Sequence, residues 1–320
     1  MHRPFDDLLA AQPAVVLDGA LATELERRGA DLRDPLWSAK CLIEQPGMIR
    51  AVHADYFDAG ADVATTATYQ ATFEAFQRRG IAHAEAARLI QGAVALAIDA
   101  RDEFWAVPAN RTGRLRPLVA ASIGPYGAML ADGSEYRGHY AVSDRVLEAF
   151  HRPRLRVLAE SGADLLACET LPCLREALVL ARLLEEIPPM SAWISFSCRD
   201  GGRTCEGDDV GDCAAALQAF GQVAAVGVNC TRPEHVGPVL RRMRRATGKP
   251  LIAYPNSGER YDAESKAWLG CPDSQPFAGL AHGWFEAGAR IIGGCCRTTP
   301  RDIKALRERY GATRPRSLSG

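Results

Sequence analysis

Eight short apolar segments alternate with helical segments along this chain, and this alternation limits the possible folds more than any other feature. The apolar segments predict strands at residues 14–17, 62–64, 118–122, 164–167, 192–196, 224–228, 251–253 and 290–292. Between and around them, the spacing of apolar residues predicts helices at residues 4–9, 48–59, 83–99, 143–161, 173–186, 210–220, 234–246, 276–287 and 300–309. Eight βα units with largely apolar strands predict an α/β chain folded as a single (β/α)8 TIM barrel.

The sequences of three helix-to-strand turns are similar, which supports a repeated βα unit. Residues 59–62, 161–164 and 287–290 each have a glycine just after a predicted helix and before a predicted strand. A doubly wound open sheet is the alternative, but no Gly-x-Gly-x-x-Gly follows the first strand. We therefore expect one domain over residues 1–320, with its core at about 14–310. Residues 102–117, which contain proline, asparagine, glycine and several arginines, are predicted to be a long surface loop.

The bulk composition excludes several classes of protein. A net charge of -1 and a pI of about 6.7 give no electrostatic reason to expect a nucleic acid or a membrane as partner. No apolar run approaches the roughly 20 residues that span a bilayer, and the N-terminus lacks the pattern of a signal peptide. A cytoplasmic location follows, where the ten cysteines are expected to be free thiols or metal ligands. No coiled coil or interface segment indicates the oligomeric state.

Polar residues and glycines follow almost every predicted strand, at the end where barrels carry their active sites. These positions are Asp18-Gly19, Thr65-Thr66, Gly124-Pro125-Tyr126, Cys168-Glu169-Thr170, Ser197-Cys198, Asn229-Cys230, Tyr254-Pro255-Asn256 and residues 293–296. Among them, Cys230, Cys295 and Cys296 come from the sixth and eighth strands and are expected on one rim. Three thiols with an open fourth position are typical of a catalytic zinc site.

Simpler interpretations exist for each of these residues. A vicinal disulfide is the alternative for Cys295 and Cys296, and His235 is a conceivable fourth ligand, although it falls inside a predicted helix. Asp18 and Glu169 are possible helix caps, Thr66 a possible turn residue, and the tyrosines possible packing residues. The other cysteines are expected to be small buried residues or loop thiols, with Cys168 undecided but leaning the same way: Cys41, Cys173, Cys198, Cys205, Cys213 and Cys271.

Taken together, these motifs resemble the homocysteine S-methyltransferases. The resemblance runs in order through residues 17–20, 65–72, 124–127, 131–138, 169–172, 227–230, 254–259 and 293–296. The Asn-Cys and Gly-Gly-Cys-Cys pair is its most specific part. The Gly-Pro-Tyr-Gly and Asp-Gly-Ser-Glu-Tyr-Arg-Gly loops are most similar to the branch that uses S-methylmethionine or S-adenosylmethionine.

The resemblance implies a zinc-dependent barrel that methylates the thiol of homocysteine to give methionine. It implies that the zinc ligands are Cys230, Cys295 and Cys296, and that homocysteine is held by Asp18, Gly19, Thr66 and Glu169. The methyl donor is cationic, so candidates to line its site are Tyr126, Tyr136 and Tyr254, by cation–π contact, and Glu135. Ala67 departs from the family, where several relatives have asparagine in a Thr-Asn-Thr run.

The chemistry explains why three thiolates suit such a reaction. A free thiol is mostly protonated at neutral pH, and a metal that binds the substrate sulfur favours the nucleophilic thiolate. Three protein thiolates leave the site formally anionic, so the bound sulfur keeps its nucleophilicity better than at a site built from histidines. No side chain then has to act as a general base.

Two other functions remain open from the sequence. A zinc hydrolase or deaminase usually combines histidine ligands with a nearby glutamate, but no His-Glu-x-x-His occurs and no Pro-Cys-x-x-Cys follows His83-Ala84-Glu85. A barrel with a structural or redox-sensing zinc site would use a closing ligand such as His235. Within the methyltransferases, betaine or a folate is an alternative donor, and selenohomocysteine or another thiol is an alternative acceptor.

Overall fold

The computed structural model describes residues 3–32, 37–262, 267–269 and 276–311. Its strands are β1 Val15–Val16, β2 Val63–Thr65, β3 Leu118–Ile123, β4 Leu165–Leu171, β5 Ala192–Phe196, β6 Val223–Asn229, β7 Leu251–Tyr254, β8 Arg260–Asp262, β9 Ala267–Leu269 and β10 Ala289–Ile292. Eight of them form one parallel sheet in the order β1-β10-β7-β6-β5-β4-β3-β2, while β8 and β9 form a separate antiparallel hairpin. A parallel bridge between Leu17 and Val63 joins the two ends of the sheet. The predicted (β/α)8 barrel is confirmed.

Helices connect the strands and surround the barrel. They are α1 Pro4–Ala11, α2 Leu21–Arg27, α3 Lys40–Glu44, α4 Pro46–Ala59, α5 Phe73–Arg78, α6 His83–Ala106, α7 Tyr126–Leu130, α8 Asp144–Ala159, α9 Leu174–Leu184, α10 Val210–Ala216, α11 Pro233–Arg244, α12 Phe277–Glu286 and α13 Pro300–Tyr310. Short 3-10 turns occur at Trp37–Ala39, Pro108–Arg111 and Ser134–Tyr136. As the glycine in the turn at residues 59–62 predicts, α4 ends at Gly60. The φ of Gly60 is 111°, in the left-handed region that favours glycine.

The predicted loop at residues 102–117 is wrong in its first half. Helix α6 continues through it to Ala106, because Ala100, Arg101 and Phe104 remain on its buried face. The guanidinium of Arg101 pairs with the Asp164 carboxylate at 2.7 Å, and this ion pair compensates for the burial of the Arg101 charge. The helix ends only before Pro108, whose ring disfavours a helical residue in front of it. Four short helices (α2, α3, α5 and α7) and the β8–β9 hairpin are also absent from the prediction, because these elements are too short to show a period.

Alternation along the strands separates two hydrophobic layers. One set of side chains packs between the strands and the helices, and the other fills the barrel interior. The interior set includes Leu118, Ala120, Leu165 and Ala167, so the next inward positions on β3 and β4 are Ser122 and Glu169. The period of two therefore places polar side chains at the C-terminal end of the interior.

The N-terminal end of the barrel is closed by helix α1. Its side chains Phe5 and Leu8 are buried against the barrel interior, with the Phe5 ring 6.3 Å from the ring of Trp193. Burial of these two apolar side chains removes water from that end. Ligands therefore have access to the interior from the C-terminal end.

The junction between β1 and β2 is secured by two aspartates. At the N-terminal end, the Asp62 carboxylate accepts a hydrogen bond from the Val16 N–H (3.0 Å) and pairs with Arg307 (2.8 Å). At the C-terminal end, the Asp18 carboxylate accepts hydrogen bonds from the N–H of Thr65 (2.8 Å) and from its hydroxyl (3.1 Å). Side chains thus supply hydrogen bonds where the two-residue strand β1 is too short to supply them.

Candidate active site

Three thiols meet at the C-terminal end of the barrel, as their positions after β6 and β10 predict. The Sγ atom of Cys230 lies 3.0 Å from that of Cys295 and 3.6 Å from that of Cys296, and the last two are 3.9 Å apart. These distances are too long for a disulfide, so the vicinal-disulfide alternative does not hold here. All nine cysteines within the described residues are free thiols, and Cys271 lies outside those residues.

The backbone around these cysteines is fixed by close contacts between neighbouring strand ends. Gly293 donates to the carbonyl of Ala253 and Gly294 donates to the carbonyl of Asp18, both at 3.0 Å. A Cβ atom at Gly293 would lie 2.5 Å from the Cβ of Leu17, and one at Gly294 would lie 2.2 Å from the hydroxyl of Thr298. The two glycines therefore permit an approach that no larger residue would allow.

Two further features hold the thiols themselves. The hydroxyl of Thr298 donates to the carbonyl oxygen of Cys295 at 2.6 Å. Cys230 has a φ of 48°, a left-handed conformation that residues with a Cβ rarely adopt. Backbone strain of this kind concentrates at functional sites, where the surrounding structure holds it in place.

Hydrogen bonds make the three thiols unequal. The hydrogen bond with Cys295, then that with Cys296, and also one from Tyr136 favour the thiolate of Cys230, whose pKa lies well below its usual range. The Tyr136 hydroxyl oxygen is 3.2 Å from the Cys230 sulfur. The same hydrogen bond with Cys230 raises the pKa values of Cys295 and Cys296 well above the usual range. Hydrogen bonding within the group therefore favours ionisation at Cys230 over the other two thiols.

The spacing of the sulfurs fits a metal ion. Thiolate–zinc bonds of about 2.3 Å in a tetrahedral site place the sulfurs roughly 3.8 Å apart. The separations of 3.6 and 3.9 Å are close to this value, and the separation of 3.0 Å between Cys230 and Cys295 is shorter. Within the described residues, the metal-ligating group consists of Cys230, Cys295 and Cys296 alone. His235 lies in helix α11 and is not part of that group. The three cysteines are thus able to bind a soft divalent cation and to leave a position for a further ligand.

A cavity of about 150 Å³ opens beside the thiols. Residues on its lining that the sequence predicts are Gly19, Thr66, Glu135, Tyr136, Glu169, Tyr254 and the three cysteines. Asp18 and Tyr126 are not among its lining residues. Asp18 is buried beneath Thr65, and burial raises the pKa of its carboxyl well above the usual range. The Tyr126 ring packs against Phe150 at 5.1 Å and Tyr140 at 5.5 Å, the packing role that is the simpler interpretation of this tyrosine.

The inward-facing layer next to the thiols is a connected hydrogen-bond network. The Ser122 hydroxyl donates to the carboxylate of Glu169. Burial raises the pKa of Glu169 to about 7, while hydrogen bonds from Ser122 and Tyr254 oppose that shift. The Tyr254 hydroxyl is fixed by the indole N–H of Trp193 (2.9 Å) and by the Ser195 hydroxyl (2.7 Å). Glu169 is therefore a preorganised acceptor with no cation bound to it among the described residues.

Thr66 and Gly19 complete the strand-end part of the cavity. The Thr66 hydroxyl accepts a hydrogen bond from the Ser122 N–H at 3.1 Å and lies 2.7 Å from the hydroxyl of Thr68. A Cβ at Gly19 would lie 2.9 Å from both the Tyr56 and the Thr298 hydroxyl oxygens. Only glycine leaves room there, and its backbone is exposed to the cavity.

Comparisons with known proteins agree over almost the whole chain. A model of the homocysteine S-methyltransferase family matches residues 15–310. The homocysteine S-methyltransferase YbgG of Bacillus subtilis is 54% identical over 304 residues, which cover 95% of this chain and 96% of the relative. The homocysteine S-methyltransferase of Escherichia coli is 49% identical over 309 residues, covering 96% and 99%. This chain belongs to the homocysteine S-methyltransferase family.

A solved structure of the family has the same fold. The metallated form of the homocysteine methyltransferase MmuM from Escherichia coli superposes with a TM-score of 0.86 at 47% identity, covering 96% of this chain and 100% of that one. The chain is accordingly a methyltransferase enzyme that acts on small molecules, as the resemblance implies. None of the described helices has the length and apolar character needed to cross a membrane.

Several residues of this homocysteine S-methyltransferase site are absent from the sequence prediction. Leu21, Leu32, Ser38, Tyr69 and Gln70 also line the cavity. The polar run at residues 65–72 was a usable signal for Tyr69 and Gln70, because both follow the end of β2. Leu21 lies on α2, while Leu32 and Ser38 lie between α2 and α3, and no local pattern in the sequence connects them to the site.

The remaining thiols fit the structural interpretation. Cys41, Cys168, Cys173, Cys198 and Cys213 are buried, and Cys205 is half-buried. Burial raises the pKa of Cys168 to about 12, so this thiol stays protonated although Glu169 is its neighbour in sequence. None of these six belongs to the metal-ligating group.

Proposed function

We propose that this enzyme transfers a methyl group from a sulfonium donor, S-methylmethionine or S-adenosylmethionine, to the thiol of L-homocysteine, and that its metal is zinc held by Cys230, Cys295 and Cys296. The observation that carries the proposal is the group of three thiols beside a small cavity lined by two buried glutamates and three tyrosines. Bound zinc would supply Lewis acidity that favours the thiolate form of the substrate. Four-coordinate zinc with three cysteine ligands keeps one position for substrate.

The bond changes balance without a redox partner or an added base. The homocysteine sulfur forms a bond to the methyl carbon, and the bond between that carbon and the donor sulfur breaks. The electron pair of the broken bond neutralises the sulfonium, so S-methylmethionine gives one methionine and homocysteine gives a second. The proton of the homocysteine thiol leaves to solvent. Positioning of the two sulfur atoms in line is then the main task of the protein.

The strand-end residues are proposed to hold homocysteine. Glu169 is held by the Ser122 hydroxyl and supplies a carboxylate for the substrate ammonium. Thr66 lines the same part of the cavity, and the open backbone at Gly19 can approach the substrate carboxylate. Asp18 remains in the predicted homocysteine set, and its hydrogen bonds to Thr65 support a positioning role for it.

The donor is proposed to lie against the tyrosines. Tyr136 and Tyr254 line the cavity, and aromatic faces attract cations such as a sulfonium. Tyr69 is a further aromatic residue of the lining and joins this set. Tyr126, which packs against Phe150, is proposed to support the segment that carries Tyr136 and not to touch the donor.

The site gives less support to the other functions. A zinc hydrolase usually has histidine among its metal ligands, whereas the ligand group within the described residues consists of three cysteines. A structural or redox-sensing zinc site would need a closing ligand, and His235 is outside the ligand group. We further propose that residues 1–320 act as one barrel domain. The free thiols fit the cytoplasmic location predicted from the sequence.

The test is methionine formation from homocysteine by zinc-loaded protein, with S-methylmethionine, S-adenosylmethionine and betaine compared as donors. We expect turnover with a sulfonium donor, and the preferred donor identifies the branch. The Cys41→Ala variant, which changes a buried thiol on helix α3, serves as a matched control and should keep full activity. Absence of methionine from every donor, despite bound zinc, would overturn the proposal.

A further inference from the structure

Two residues that line the cavity each have a buried side-chain oxygen with no hydrogen-bond partner among the described residues. The atoms are Oε1 of Gln70 and Oε2 of Glu135, and both residues are only 8% exposed. A buried polar atom without a partner is unfavourable, so such atoms are rare in folded proteins. Both atoms are acceptors, and both belong to residues of the same cavity.

The orientation of Gln70 is set by its other amide atom. Its Nε2 donates to the carbonyl oxygen of Ala128 at 2.8 Å. A carbonyl accepts and does not donate, so the nitrogen has to face Ala128 and the oxygen is left over. The amide oxygen is therefore a buried acceptor without a partner among the described residues, on a residue that lines the cavity.

The position of Glu135 is set through its backbone. Ser197 donates its hydroxyl to the Glu135 carbonyl at 2.9 Å, and a Cβ at Gly127 would lie 2.6 Å from the Glu135 nitrogen. The neighbouring cation Arg137 is engaged with Asp132 at 3.6 Å and does not pair with Glu135. The loop thus places at the cavity a glutamate that has no salt bridge among the described residues.

The two glutamates that line the cavity lie on different structural elements. Glu169 is on strand β4, in the inward-facing layer with Ser122. Glu135 is in the 3-10 turn Ser134–Tyr136 beyond α7, and Gln70 is in the segment between β2 and α5. The two proposed substrates are both amino acids, and each carries one ammonium group. One buried carboxylate is available for each.

We propose that Glu135 and Gln70 bind the α-ammonium group of the methyl donor, so that the enzyme selects donors with a free amino group. This inference rests on the proposed function and specifies the donor side of the same site. An ammonium group offers three N–H donors and no acceptor, which complements two unpartnered oxygens. A quaternary ammonium, as in betaine, has no N–H and leaves both oxygens unpaired.

The test compares two donors that differ only in the amino group: S-methylmethionine and 4-(dimethylsulfonio)butanoate. For Glu135→Gln, we expect kcat/KM with S-methylmethionine to fall roughly 10- to 100-fold, because a charged partner is replaced by a neutral one. Activity with the deaminated donor should change less than about threefold, and so should the KM for homocysteine. For Gln70→Met the same selective loss should be about 3- to 10-fold.

Glu206→Gln is the matched control. Glu206 accepts a hydrogen bond from the His139 N–H at 2.9 Å and so holds the same loop, but it does not line the cavity. Any effect of this variant should be equal for the two donors. If wild-type enzyme turns over the deaminated donor too slowly to measure, its inhibition constant against S-methylmethionine replaces kcat/KM, with the same expectation for each variant.

The inference is overturned if Glu135→Gln lowers kcat/KM equally for the two donors. It is also overturned if the variant raises the KM for homocysteine and leaves kcat/KM for the donor unchanged. Undiminished use of S-methylmethionine by Glu135→Gln would also contradict it. Failure of the wild-type enzyme to methylate homocysteine with any donor is a different outcome, which overturns the proposed function itself.

Discussion

At the N-terminal end of the barrel every oxygen of the Asp62 carboxylate has a partner, whereas at the C-terminal end the Glu135 carboxylate has one oxygen with none. Asp62 is bound by the side chains of Arg307 and Gln12 and by the Val16 N–H. The C-terminal end instead combines unpartnered acceptors, a left-handed Cys230 and three cysteine sulfurs in close contact.

This difference indicates which end is built for stability and which for binding. Charges that are paired within the protein are costly to unpair and have nothing left to offer a ligand. Acceptors and thiolates that lack a cation destabilise the empty protein and are satisfied when a ligand or metal arrives. Variants at the two ends should therefore separate activity from stability.

The largest effect is expected at the thiols. Cys296→Ser removes one of three metal ligands, so bound zinc and methyl transfer should be lost together, with activity reduced at least about 1,000-fold. Metal content by mass spectrometry and methionine formation measure the two losses. Cys41→Ser makes the same chemical change at a buried thiol on α3 and should retain metal. Full activity of zinc-free Cys296→Ser protein would contradict the claim that the thiols at the C-terminal end serve the reaction by binding metal.

At the opposite end, Asp62→Ala should act on stability and not on chemistry. It removes the carboxylate partner of the half-buried Arg307 and of the Val16 N–H, a change that typically lowers the free energy of unfolding by about 1–3 kcal/mol. Denaturant unfolding measures the loss, and kcat of the folded enzyme at low temperature should be nearly unchanged. A large drop in kcat with unaltered stability would show that the two ends are not separable in this way.

Glu169→Gln should have the reverse profile. Loss of the carboxylate should raise the KM for homocysteine about 10- to 100-fold, because a charge-assisted hydrogen bond to the ammonium is lost. The unliganded variant should at the same time be more stable than wild type above pH 7. The steady-state KM and unfolding at two pH values provide the measurements.

The pH dependence follows from the direction of the shift. Burial raises the pKa of Glu169 from 4.5 to about 7 in the folded protein. The folded protein therefore binds a proton that the unfolded chain has released, and wild-type stability from this group falls as pH rises from about 4.5 to 7. Glutamine does not titrate, so the stability gain of Glu169→Gln should be present at pH 8 and absent at pH 4. An equal gain at both pH values would contradict this assignment.

The smallest effect is expected at Thr298→Val. This change removes the hydrogen bond from the Thr298 hydroxyl to the Cys295 carbonyl, and it keeps a similar volume. Zinc affinity should fall about 3- to 10-fold, in line with the value of one neutral hydrogen bond. Competition with a chelator measures it. Unchanged affinity would mean that Gly293 and Gly294 hold the cysteines without help from Thr298.

The sequence predicts the fold because the fold depends on local patterns. Short apolar runs and glycine-marked turns define the strands, and the residues just after them, such as Cys230 and Glu169, come to one end of any parallel barrel. The end of α6 and the burial of Arg101 depend on contact with Asp164, which is remote in sequence. The unpaired oxygen of Gln70 depends likewise on a hydrogen bond to Ala128, and the packing of Tyr126 depends on Phe150.

The most direct test of the central claim follows the methyl group itself. Protein stripped of metal and protein reloaded with zinc would be supplied with homocysteine labelled with 13C in its carbon backbone and with S-methylmethionine deuterated on its sulfonium methyl groups. With zinc restored, we expect 13C-labelled methionine, which arises from homocysteine, to carry one transferred deuterated methyl group, while stripped protein gives none. Transfer at the same rate without metal, or consumption of the donor with no label in homocysteine-derived methionine, would contradict the account.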